Sequence, residues 1–311
     1  MVTKQFDVVG LGASTVDVIT VVDHFPTGRE TQEALAMTIQ GGGPVATAVV
    51  AVSRLGGTSA MIDCIGDDWA ADLVLEGFRS ERVDTNLIEC QPGCTTSISN
   101  ILVSARDGAR AIMFLPGSVP ELTLSEPQKA AIRSARFIHL SGRHWNANLE
   151  ATGLAKEQNV KISFDGGANR FRPQLRTLVP LTDVCIVARD FAESYTGEAD
   201  ISKSAELLLR EGPEIVAVTD GINGSWISTK EGLSVHQPAF PFPTTVDSTG
   251  CGDSYHGGFL AGLLRGFPPE RAAAVASAVA AMNSQHLGGR AGIPGFAGVA
   301  QFLHRQGVAL E

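Results

Sequence analysis

Apolar residues along this chain fall into short continuous runs. FDVVGLG (6–12), AMIDCIG (60–66), RFIHLSG (136–142), VKISFDGG (160–167), VCIVA (184–188) and EIVAVTDG (214–221) are each closed by glycine or by polar residues. A run that is apolar throughout reads as a strand buried on both faces, the pattern of a parallel sheet. Helical patterns lie between the runs. In GGGPVATAVVAVSRLGG (41–57), Pro44 suits a first helical turn and Gly56 or Gly57 its stop, while Ala46, Val49, Val50 and Val52 make an apolar face. Residues 67–81 read as a helix capped by Asp67 or Asp68, and 147–157, 171–178 and 201–210 as further helices. Residues 252–265 and 269–286 read as two Ala-, Gly- and Leu-rich helices broken at Pro268 and Pro269. Strand alternating with helix predicts a mostly parallel sheet covered on both faces, with ligands at the carboxyl ends of its strands.

Two stretches depart from this rhythm. TSISNILVS (96–104) and ARAIMFLPG (109–117) flank Arg106-Asp107-Gly108, a hairpin signal, and 14–40 mixes polar with apolar positions. No repeat or linker interrupts the chain. The expectation is a single α/β domain over 1–311 with a small β-sheet lid built from about 14–40 and 93–117.

Composition narrows the function classes. Of 311 residues, 44% are hydrophobic and 18% charged, which suits a sizeable core. The net charge is −9 with no basic block, so nucleic acid is not an expected partner, and an anionic ligand needs local donors. No apolar run is long enough to span a bilayer. Cys64, Cys90, Cys94, Cys185 and Cys251 form no CxxC pair, which points to free thiols and a cytoplasmic location. Cys90 and Cys94 lack the second ligand pair of a metal site.

The densest chemical signal is Val246-Asp247-Ser248-Thr249-Gly250-Cys251-Gly252-Asp253, running into an apolar helix. Gly250 and Gly252 let backbone N–H groups converge at the helix N-terminus, where the dipole favours an anion. Asp253 beside that anion hole can accept the proton of an attacking hydroxyl. A lone Asp at a helix start would be read as a cap; the whole string supports the catalytic reading.

That string resembles the signature of the ribokinase-like (PfkB) carbohydrate kinases, D-T-x-G-A-G-D, with Ser248 and Cys251 as conservative departures. LGASTVDVI, GGGPVATAVVAVSRLG, DGINGSW (220–226) and HLGGRAGIPG (286–295) match further family segments in the same order. FIHLSGR (137–143) is similar to the ketohexokinase branch. GGGP, HQPAF (236–240) and GGRAGIP resemble the sulfofructose kinase branch. The resemblance implies a ribokinase-like three-layer α/β sandwich with a β-lid. It implies transfer of the γ-phosphoryl of ATP to a ketose or a sulfo- or phospho-sugar, with a nucleoside or keto-deoxy sugar acid as alternative acceptor. Asp253 with Gly250, Cys251 and Gly252 is then catalytic. Asp17, Gly42, Gly43, Thr47, Arg110 and Arg143 would bind the acceptor, and Thr219, Gly221, Gly224 and Asn283 the nucleotide. Asp247 and Thr249 would offer backbone to a monovalent cation such as K⁺. Mg²⁺ is implied with ATP, although the family's N-x-x-E pair is replaced here by Ala188-Arg189-Asp190-Phe191. A homodimer through the lid is implied as well. Thr31 and Phe114 stand where the sulfofructose branch would place sulfonate contacts, which leaves Arg29, Arg110 and Arg143 as the basic residues for an anionic tail.

Other residues carry plainer readings. Asp165-Gly166-Gly167 approaches the substrate or is only a tight turn; His139 and His144 are core or rim residues; Trp145 and Trp226 pack. Gly10-Leu11-Gly12 lacks the third glycine of a dinucleotide fingerprint. A non-catalytic sugar-binding regulator on the same fold is the remaining different class.

Overall fold

The structure, a computed structural model, describes residues 4–310. In chain order its strands are β1 (Phe6–Leu11), β2 (Thr15–Val22), β3 (Ala36–Gly42), β4 (Ser59–Ile65), β5 (Ile88–Cys90), β6 (Ser97–Ser104), β7 (Arg110–Leu115), β8 (Ala135–Leu140), β9 (Lys161–Gly166), β10 (Val184–Ala188), β11 (Ile215–Thr219), β12 (Ser225–Thr229) and β13 (Ser234–Gln237). Nine of them form one sheet, in the order β13-β12-β11-β10-β9-β8-β1-β4-β5. From β11 to β5 every pairing is parallel, and β12 and β13 close one edge antiparallel.

Each apolar run divides its residues between two layers. Val8, Met61, Phe137 and Ile186 face the helices Pro44–Arg54, Trp69–Ser80, Cys251–Leu264 and Pro269–Asn283. Val9, Ile62, Ile138 and Val187 face the helices Glu126–Arg133, Trp145–Glu157, Arg189–Thr196 and Ile201–Glu211. Fully buried side chains such as Phe78, Phe164 and Phe259 are each worth about 1.5–3 kcal/mol of transfer free energy. The small residues after Asp253 let their helix pack close to its neighbour. A Cβ on Gly258 or Gly262 would press on the backbone of Ala276 or Ala272 in the neighbouring helix.

The chain runs outward from β1 through β4 to β5, then returns to β8 beside β1 and proceeds to the opposite edge. The carboxyl ends of β1 and β8 therefore flank a topological switch point, where open α/β sheets bind ligands. The four-stranded sheet, in the order β3-β2-β6-β7, extends from this end. Its β2–β6 pairing is parallel and the other two are antiparallel. Its register places Asp17, Gln40, Ser99, Ile112 and Phe114 on one face and Val18, Ile39, Asn100 and Met113 on the other. The Asp107-Gly108 turn lies between β6 and β7 as expected, with Gly108 at φ +67°.

The structure departs from the sequence reading in two places and decides a third that was left open. The helix expected over 171–178 shrinks to Leu175–Leu178, followed by a 3₁₀ turn at Val179–Leu181. Pro173 and Pro180 cannot donate a backbone N–H, and 167–170 is spent as a loop. The helices Glu126–Arg133, Arg189–Thr196 and Phe296–Arg305 were not foreseen. The second follows β10 directly, and its N-cap, Ala188, gives no side-chain signal. Asp68, not Asp67, is the cap of Trp69–Ser80, its carboxylate accepting from Ala71 N–H at 3.1 Å. Among the described residues no helix is long and apolar enough to cross a membrane.

Candidate active site

The helix Cys251–Leu264 begins without a side-chain cap, on Gly250 at φ +68°. A side chain there would be strained and would collide with the Gly289 backbone. Over Gly252, by contrast, a Cβ would meet nothing within 4 Å, so the helix N-terminus opens onto free space. Asp253 sits in this first turn with its side chain 21% exposed. Burial raises its carboxyl, Arg170 opposes that rise, and the neighbouring charge of Asp165 adds to it. Arg170 Nη2 stands 3.8 Å from Asp253 Oδ1. From the lid, Arg110 Nη1 donates to Ser248 Oγ at 2.6 Å, bringing a second guanidinium to the same loop. Burial pushes the Cys251 thiol up to about 12, so it stays protonated and is no nucleophile at neutral pH.

Asp17 lies on the cleft face of β2, 6% exposed. Thr15 Oγ1 donates to it at 2.8 Å. Burial raises its carboxyl too, and Thr15, Arg290 and Ser99 oppose the rise. Gly42 is required beside it, since any Cβ there would occupy the space of the carboxylate. Gly43, at φ +96°, starts the helix Pro44–Arg54.

Several expected binding residues prove to be engaged with protein. The buried Thr47 hydroxyl accepts from Arg290 Nε at 3.1 Å, and Arg290 Nη2 donates to Gly42 O at 2.7 Å. Thr47 therefore holds the glycine strand in place, and its oxygen does not face an acceptor. Asn283, fully buried, donates to Gly289 O at 2.9 Å and accepts from Gly292 N–H at 3.1 Å. Its amide fixes the 289–292 loop and is not free for a nucleotide. Asp247 accepts from Thr249 N–H and Gly288 N–H, both at 2.8 Å, which leaves its carboxylate occupied. Thr249 Oγ1 is buried without a partner. Thr219 ends β11, and Gly221 and Gly224 both take positive φ in the following turn. Arg143 follows β8 with its Nε buried and unpartnered, while Arg29 lies in the exposed 23–31 segment.

Three residues escaped the sequence reading. Arg170 belongs to SFDGGANR, five residues after Asp165, which was read as approaching the substrate or forming a tight turn at the carboxyl end of β9. His256 lies one turn after Asp253. Arg290, inside GGRAGIP, is 6% exposed; burial lowers its guanidinium to about 10, and Asp17 opposes that fall. Of the residues read as core or rim, His144 is a buried link. It pairs with Asp63 at 2.9 Å, and Asp63 in turn accepts Ser14 N–H at 2.6 Å, tying the loops after β1 and β8 together.

The four-stranded sheet and the 286–292 loop are also joined. Gln40 donates to Leu287 O at 3.3 Å and accepts from Arg290 N–H at 3.2 Å. A surface hollow of about 270 Å³ beside Asp7, Arg136 and Arg265 lies at the amino ends of the strands, the opposite end of the sheet from these groups.

The chain is 24% identical over 307 residues to the ketohexokinase of Mus musculus, covering 96% of this chain and all of that protein. It is 27% identical over 303 residues to the 5-dehydro-2-deoxygluconokinase of Halalkalibacterium halodurans, covering 90% of this chain and 88% of that protein. The ribokinase of Arabidopsis thaliana, solved with ribose and ATP, superposes with a TM-score of 0.83 at 21% identity over 96% of this chain and 98% of that one. Residues 5–295 match the pfkB family carbohydrate kinases. The chain thus belongs to that family of phosphotransferases with an alcohol group as acceptor, and it has the ribokinase-like fold.

Proposed function

We propose that this chain transfers the γ-phosphoryl of ATP to a hydroxyl of a ketose-type sugar, with Asp253 as general base. The observation that carries this is Asp253 itself. It is a carboxyl raised by burial, set in the first turn of an uncapped helix whose N-terminus opens onto free space. Such a group can take a proton, while the helix N–H groups and two guanidinia hold the charge of the moving phosphoryl. Asp17, with neutral hydroxyl donors around it, is suited to accept hydrogen bonds from sugar hydroxyls.

The residues fit nucleotide phosphates: the uncapped N-terminus, Arg110 and Arg170 are all donors. Mg²⁺ bound with ATP would neutralise phosphate charge. In place of the N-x-x-E pair the chain offers Asp190, one of whose oxygens accepts Asn169 N–H at 2.6 Å. A monovalent cation fits beside the unpartnered Thr249 oxygen and the carbonyls of 247–249 and 286–292. Activity should then fall when K⁺ is replaced by a large organic cation at equal ionic strength; equal rates would remove the cation from the site.

Arg110 is turned to the phosphoryl side, at Ser248, which favours a neutral acceptor over one with an anionic tail. Met37 and Ile39 of β3 and Met113 and Leu115 of β7 leave an apolar surface on the lid face away from the cleft, each at least half exposed. This surface supports a homodimer through the lid, to be checked by sedimentation. A coupled assay with fructose, its 6-sulfonated analogue, adenosine and a 2-keto-3-deoxy sugar acid tests the whole reading. Turnover of fructose above the others is expected. Tight sugar binding without ATP turnover would overturn it in favour of a regulator.

A further inference from the structure

Beneath Asp253 lies a cluster that the reading above does not use. Asp165, at the end of β9, is 1% exposed, and neither of its oxygens has a hydrogen-bond partner. His256 Nε2 is 3.6 Å from Asp165 Oδ1, and Arg170 Nη1 is 3.5 Å from the same oxygen. His139 of β8 completes the cluster; its Nδ1 lies 3.0 Å from Ser163 Oγ and its ring centroid 5.5 Å from that of His256. Burial pushes His139 down to about 3, with His256 adding to the fall and Asp165 opposing it. Burial alone would raise Asp165, yet His256 and Arg170 outweigh it and hold the carboxyl below its usual range. A buried carboxylate with no donor on either oxygen is costly unless its charge is compensated. Here the compensation is shared with the catalytic site, because the two terminal nitrogens of one guanidinium approach two carboxylates, Asp165 and Asp253.

We propose that Asp165 is a positioning residue for phosphoryl transfer, anchoring the Arg170 guanidinium across Asp253 so that it stays in the cleft while Asp253 takes up the acceptor's proton. The proposal rests on Asp253 being the base. In the step, the acceptor oxygen bonds to the γ-phosphorus as the bond from that phosphorus to the β–γ bridging oxygen breaks. ADP leaves with that electron pair, and the hydroxyl proton passes to Asp253. Once neutral, Asp253 no longer attracts the guanidinium. Asp165, buried deeper, still does. The charged and titratable groups around the pair are His139 from β8, Cys251, Asp253 and His256 from the helix, Arg170 from the β9 loop, Arg290 from the 286–292 loop and Arg110 from β7.

The test is the pH profile of kcat/KM, measured with ATP and the sugar of the panel that is turned over fastest. Asp165→Asn removes the competing charge and leaves Arg170 to Asp253 alone. Its acid limb should move to lower pH and its kcat should fall on the order of 10²-fold, as for a misplaced group, with the sugar KM little changed. Arg170→Met should move the limb the opposite way, to higher pH. A purely structural role would lower the active fraction and leave both limbs in place, and that result would overturn the proposal. If Asp165→Asn does not fold, Arg170→Met, on the cleft surface, decides alone: an unmoved limb sinks the idea. Asp253→Asn is run beside them. Near-normal turnover in that variant would remove the base itself. Its inactivity, combined with unmoved limbs in the other two, would remove only the positioning role.

Discussion

Asp17 and Asp253 are both carboxyls raised by burial, and the protein treats them in opposite ways. Asp17 is fixed by the Thr15 hydroxyl, seated against Gly42 and backed by Arg290. Among the described residues the Asp253 carboxylate has no hydrogen-bond donor; it has the Arg170 guanidinium at 3.8 Å, the charges of His256 and Arg110 further off, and a second carboxylate, Asp165, opposing them. A group meant to bind gains from rigid neutral donors, which keep its lone pairs aimed while it stays ionised. A group meant to gain and lose a proton is better served by loose compensation that tolerates both charge states.

The largest effect that could break this contrast is on turnover. Asp253→Asn keeps the size and should lower kcat by about 10²–10⁴-fold with sugar affinity nearly intact; single-turnover kinetics with calorimetry would show it, and a normal kcat would end the assignment. Asp17→Ala should do the reverse. The sugar KM should rise by roughly ten- to a hundredfold, the range for losing a charged hydrogen bond, while calorimetry shows ATP binding unaffected. A smaller change is expected from Arg110→Met. Its bond to Ser248 is exposed, so the ATP KM should rise only about two- to fivefold, as for a screened surface contact, and the difference should fade in high salt.

The smallest effect is on stability, and its sign sharpens the comparison. Asp253 has a raised folded-state pKa, so the native state holds its proton more tightly than the unfolded chain does. The ionised form therefore costs stability above the raised pKa, and the cost is absent below the ordinary carboxylate range. Asp253→Asn should raise Tm by a few degrees at neutral pH, and the gain should vanish on acidification to pH 3. A variant less stable than wild type at pH 7 would show that Arg170 over-compensates the buried charge.

Much of the sheet was legible because a parallel strand is apolar on both faces, so β1, β4, β8, β9, β10 and β11 announce themselves without periodicity. The loop 247–253 was legible because small residues before an apolar helix have few other uses. What the sequence hid was the direction of polar side chains. Thr47 and Asn283 look like binding groups in a string of letters, yet each is taken by a partner more than two hundred or only six residues away, Arg290 and Gly289. Arg170 was hidden for the opposite reason. It stands just before the helix expected over 171–178, and it is the loop 167–174, between β9 and Leu175–Leu178, that brings its guanidinium to Asp253.

Gln40 ties two parts of the molecule together. Its amide joins a lid strand on the Asp17 side to Leu287 and Arg290, and the same loop is held by Asn283 and Asp247. The walls of the two halves of the cleft are thus one hydrogen-bonded piece. If sugar and nucleotide bind on either side of this piece, filling one half is expected to change the work needed to fill the other, and thermodynamic reciprocity then requires the two ligands to alter each other's dissociation constants by the same factor. Gln40→Ala should bring that factor toward one without touching either ligand.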